Sequence, residues 1–104
     1  MLKLQAEPTF VSAVIIPSPW GDQKIKMVFK YMDTDEFESY IKNNADRQNM
    51  SNEDVIMEIA SGWHEVDGEF NKENVALLCK KYHQAAAKIV NAWMENNTQA
   101  RLGN

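Results

Sequence analysis

One cysteine, two histidines and fifteen carboxylates are the groups in this 104-residue chain that could do nucleophilic, metal or acid–base chemistry. Cys79 falls on a stripe with Val75, Leu78 and Tyr82 at helical spacing, which predicts a core position, where free cysteine is commonly found. A reactive thiol needs a positive, partly open setting, and a helix turns the adjacent Lys80 and Lys81 away from the side that carries Cys79. His64 and His83 have no further histidine, cysteine or carboxylate at a metal-ligand spacing. His64-Glu65 lacks the second histidine of the zinc-protease helix. Gly21, Gly62, Gly68 and Gly103 are scattered, so no glycine-rich loop is available to cradle a phosphate. Acids are frequent throughout the chain, and their pairing carries little information without a cleft. The expectation is a protein that is not an enzyme and holds no cofactor and no metal.

The remaining side chains of interest suit contact better than catalysis. Trp20, Trp63 and Trp93 are large aromatics, a residue type common at binding hot spots. Trp93 repeats with Ile89 and reads as core. Trp63, after Gly62 and close to Phe70, is open to two readings, core or groove. Trp20 lies at a predicted hairpin tip, where a structural role is hard to supply, and a partner chain is the alternative. Trp63, Phe70 and Trp20 are therefore candidate partner-binding residues, together with Lys80 and Lys81 as a basic pair.

Charge separates the chain into three parts under a formal total of −4. Residues 1–32 have four lysines against two acids, residues 33–73 have twelve acids against three basic residues, and residues 74–104 have four basic residues against one acid. An acidic middle argues against broad nucleic-acid contact, which requires a basic face. The same pattern suits head-to-tail self-association, with basic and acidic surfaces of neighbouring copies opposed. No apolar run approaches the ~20 residues of a membrane span. A single cysteine excludes an intrachain disulfide and fits a reducing compartment. Met1-Leu2-Lys3-Leu4-Gln5 lacks the apolar core of a signal peptide, so a cytoplasmic location is expected.

The length is that of one domain, residues 1–104. Thr9 to Ile16 is rich in β-branched residues and predicts a strand. Pro17-Ser18-Pro19-Trp20-Gly21-Asp22 predicts a turn, with Gly21 free to take positive φ. Lys24 to Tyr31 alternates between apolar and basic positions, the pattern of a half-buried antiparallel strand. A hairpin over 9–31 is only marginal alone and must lean on the helices or on another chain. Residues 33–99 read as about four short helices. Asp33 with Glu36 predicts a capping box for the first, and Phe37, Tyr40 and Ile41 its apolar stripe. A loop is expected over 43–50, with 46–49 as its mobile part. Ser51 caps the second helix, which is expected to bury Val55, Ile56, Ile59 and Ala60 and to end at Gly62 through a left-handed cap. His64 to Gly68 reads as an acidic connector. Asn71 caps the third helix, with Phe70 placed to staple onto Val75. Ala85, Ile89, Ala92 and Trp93 mark the fourth. No Pro or Gly separates the third and fourth, so one bent rod and two helices both fit. Asn96-Asn97 is expected to fray, and 100–104 to form a tail. The fold class is α+β: an N-terminal antiparallel β-hairpin followed by a helical bundle.

Several of these features occur together in a known order: the hairpin, the acidic helical middle, Gly62-Trp63, Phe70, Glu73-Asn74-Val75-Ala76-Leu77-Leu78, Tyr82, an alanine pair, Ile89 and Ala100-Arg101-Leu102-Gly103-Asn104. In that order the chain resembles the tail assembly chaperones of long-tailed bacteriophages and prophages. The resemblance extends over nearly the whole chain and rests on apolar positions and helix caps. One departure is His83, where many relatives have proline after the tyrosine. The resemblance implies a chaperone that binds helical segments of the tape measure protein and keeps it soluble while the tail tube forms. It further implies self-association into a homo-oligomer, residence in the cytoplasm of the bacterial host and absence from the mature virion. Six methionines suit an adaptable binding surface. The competing reading is a small regulatory or antitoxin-like protein-binding module of a prophage.

Overall fold

The computed structural model describes residues 1–44 and 50–98. Of the loop expected over 43–50, its mobile part 46–49 lies outside the described residues, as does the tail over 100–104, whereas Asn43 and Asn44 belong to the first helix. Among the described residues seven elements succeed one another: strands β1 (Thr9–Ile16) and β2 (Gln23–Lys30), helices α1 (Thr34–Asn44) and α2 (Asn52–Ile59), strand β3 (Ala60–His64), and helices α3 (Lys72–Lys81) and α4 (Ala85–Thr98). The fold is α+β. Its sheet is antiparallel, in the order β1-β2-β3.

The hairpin forms where alternation and turn chemistry agree. β1 and β2 pair in a continuous register from Thr9 opposite Lys30 to Ile16 opposite Gln23. Between them Gly21 donates its N–H to Ser18 O at 3.0 Å and takes φ 110°, a conformation that a side chain would strain. Ile25, Met27 and Phe29 point inward with Val14 and Ile16, all buried, whereas the lysines of β2 point out.

The helix caps follow the sequence. Asp33 and Glu36 form the reciprocal capping box, with Glu36 N to Asp33 Oδ1 at 2.8 Å and Asp33 N to Glu36 Oε1 at 3.0 Å. Ser51 accepts from Asp54 N at 3.2 Å to start α2, and Asn71 accepts from Asn74 N at 2.8 Å to start α3. α3 and α4 are separate helices: Tyr82 turns to an extended conformation and stops the first, still donating its N–H to Leu78 O.

Two expectations are overturned. Gly62 does not cap α2; the helix ends at Ile59, and the chain passes through extended Ala60 straight into β3, so that Gly62 lies opposite Val28 in the sheet. The C-terminal turn of α2 has its hydrogen bond completed by Ala60 N to Ile56 O, and the strand is then stabilised by β2. Asn96-Asn97 does not fray. α4 continues to Thr98, because Asn97 is buried and holds both backbone groups of Met32: its side-chain oxygen accepts from Met32 N at 2.9 Å, and its amide donates to Met32 O at 3.1 Å.

The core lies between the inner face of the sheet and the helices. Ala85, Ile89 and Trp93 recur every four residues on α4 and bury against it, with Ile56 and Ile59 of α2, Trp63 of β3 and Val75 of α3. Of the four α2–β3 positions expected to bury, Ile56, Ile59 and Ala60 do so, and Val55 is half-buried. The Trp93 indole donates to Lys30 O at 3.1 Å, and its ring receives Phe37 at 5.4 Å and Tyr40 edge-on at 5.5 Å. Through these two aromatics α1 leans on the core, although it buries no residue of its own.

Candidate partner-binding groove

Trp63 and Phe70, adjacent to the connector after β3, do meet. Their rings pack edge-to-face at 5.3 Å. Trp63 is buried, and its indole N–H donates to Gly68 O at 2.8 Å. That bond fixes the connector, which turns at Glu65 with φ 67°, a left-handed conformation uncommon for a residue with a side chain. Phe70 is half-buried and packs against the core. The pair is thus mainly scaffold: it decides where the connector runs.

What the connector encloses is a groove of ≈ 450 Å³. It is lined by the end of the hairpin, with Ile16, Gln23 and Ile25, by Leu77 and Leu78 of α3 with Tyr82 just beyond that helix, and by Trp63 of β3. Val66 and Gly68 close one side. The rim is charged with opposite signs, Glu65 and Asp67 on the connector and Lys81 on α3. Apolar surface remains open to solvent here: Leu77 is 50% exposed, and Trp20 is 76% exposed. Trp20 stands at the hairpin tip and touches Tyr82 edge-on at 6.3 Å, so the tip and the end of α3 form one aromatic border.

Of the five candidate residues, Trp63, Trp20 and Lys81 therefore come together around the groove or its border. Phe70 acts through Trp63, and Lys80 is exposed on α3 outside the lining. Leu77 escaped the sequence reading. Its signal was present: Val75, Leu78, Cys79 and Tyr82 occupy one stripe of α3, and Leu77 is a large apolar residue off that stripe. An apolar side chain that the core does not use is available to something else.

Cys79 is half-buried, and its thiol is held above the ordinary range, first by burial and then by the negative charge of Glu53. Among the described residues no three His, Cys, Asp or Glu side chains gather as a metal site. The ion pair of Lys72 with Asp54, at 2.9 Å, links α3 to α2 in solvent; the lysine bond lowers the Asp54 pKa and raises that of Lys72. No helix among the described residues is long and apolar enough to cross a membrane.

Fold and groove together define a small α+β protein with an open apolar channel between a hairpin end and a helix, bordered by exposed aromatic and aliphatic side chains. Comparison with protein families finds a match over residues 1–104, the whole chain, to the family described as phage tail assembly chaperone. The protein belongs to the phage tail assembly chaperone family. Searches of curated proteins and of solved structures found no match.

Proposed function

We propose that the protein binds helical segments of the tape measure protein in this groove, keeps that protein soluble during tail assembly, and does so without catalysis. The observation that carries the reading is the open apolar lining from α3, with Leu77 half-exposed in the groove and Trp20 extending the border past Tyr82. Large exposed apolar side chains beside a preformed groove suit an amphipathic helix, which lays its apolar face into such a channel. Glu65 and Asp67 on one rim and Lys81 on the other favour a helix whose flanks carry the opposite charges. Action takes place in the host cytoplasm before the virion is complete, and the chaperone is shed. The protein also associates with copies of itself, in keeping with its division into basic and acidic parts.

Co-expression with the tape measure protein tests the central claim. The soluble fraction of that protein should rise with the wild-type chaperone and fall back when Trp20 is replaced by serine. Equal solubility with and without the chaperone would remove the proposal.

A further inference from the structure

Among the described residues, the helices cover only one face of the sheet. On the other, the register sets Val11 beside Val28, Ala13 beside Lys26 and Ile15 beside Lys24. Val11 is 59% and Ile15 45% exposed, and Ala13, Lys24, Lys26 and Lys30 are exposed as well. The face is thus an apolar column on β1 next to a basic column on β2. None of the three strands contains an aspartate or glutamate, so nothing within the sheet offsets the lysines. An uncovered face of this composition attracts a partner that is acidic and partly apolar.

The same chain presents such a surface on α1. This helix buries no residue and has three carboxylates against one lysine. Its Phe37 and Tyr40 turn in toward Trp93. Asp35, Glu38 and Ile41 succeed one another at intervals of three along an exposed ridge. Spacing agrees as well as sign. Lysines two apart on a strand stand roughly 6.6–6.8 Å apart, and carboxylates three apart on a helix roughly 5–6 Å.

We infer that the outer face of the sheet receives α1 of a second copy, with Asp35 and Glu38 against Lys24 and Lys26 and Ile41 against the Val11–Ile15 column. This deepens the self-association proposed above and rests on it. The two patches differ, so the contact is heterologous. It uses the face of the hairpin opposite to Ile16, Gln23 and Ile25, which line the groove.

Charge reversal on each side separately tests this by sedimentation velocity at low and at 0.5 M salt (on the order of the concentration at which exposed pairs are screened). Wild-type protein should associate at low salt and dissociate at high salt. Lys24→Glu with Lys26→Glu, and Asp35→Lys with Glu38→Lys, should each weaken association at least about tenfold. Lys30 is left alone because its Nζ also approaches Met57 O at 3.4 Å. An equimolar mixture of the two variants should associate again, which misfolded chains would not do. Association unaffected by either double substitution, or no recovery in the mixture, would overturn the surface while leaving self-association intact. A wild-type protein that is monomeric at every concentration would overturn both.

Discussion

Leu77→Ser probes the groove most directly. Half of this side chain is already packed and half is exposed. Full burial of a leucine is worth about 1.5–3 kcal/mol, so each half represents roughly 0.8–1.5 kcal/mol. The substitution removes the packed half from folding stability, a loss that a domain with about 5–15 kcal/mol tolerates. It removes the exposed half from any complex in which a partner helix covers it, which corresponds to about four- to twelvefold in Kd. The matched control is Met94→Ser on α4, a side chain 38% exposed and outside the groove lining. Titration of each variant with helical tape measure peptides, followed by calorimetry well below the melting temperature, reads the difference. An unchanged Kd for Leu77→Ser, or an equal loss for Met94→Ser, would refute the assignment of the groove.

Two further outcomes concern the interior. Asn97→Ala orphans the N–H and C=O of Met32, each a loss of about 1–3 kcal/mol when poorly solvated, and a net 2–3 kcal/mol corresponds to a fall of about 10–20 °C in Tm; a thermal melt that falls by less than about 3 °C would contradict the clamp. Burial raises the thiol pKa of Cys79 and so reduces the thiolate present at pH 8; iodoacetamide should modify the native protein more slowly than the urea-unfolded chain, and equal rates would contradict this. The sign for stability is the same: the unfolded thiol ionises first, so this group's contribution declines as pH rises above the ordinary thiol range.

The elements written in local signals were legible in the sequence. Alternation in β2, the Asp33–Glu36 box, the Ser51 and Asn71 caps and the four-residue stripe of α4 each depend on residues within a turn or two of one another. β3 was not legible, since Ala60, Ser61 and Gly62 have weak strand preference and the irregularity opposite Val28 and Phe29 breaks the period of two. Its pairing comes from β2, more than thirty residues away. Asn97 misled for a related reason: asparagine at a helix end normally signals fraying, and only the distant backbone of Met32 turns it into an anchor. The candidate site was half visible. Trp63 and Phe70 were recognised as a joint, but the walls around them come from three separate segments, and the contact of Trp20 with Tyr82 spans the hairpin tip and the end of α3.

The attachment of α4 to the hairpin bears on how the chain is made. Met32 and its anchor Asn97 are separated by 65 residues, and Lys30 is held by Trp93 over nearly the same distance. A hairpin is marginal by itself, so the apolar side of β1 and β2 emerges from the ribosome with its cover not yet synthesised. At about 5–20 residues per second the wait is on the order of 3–13 s. During that interval the nascent chaperone exposes Phe29, Met27 and Ile25, the kind of surface it is proposed to shield on its client, and the last turns of α4 end that vulnerability.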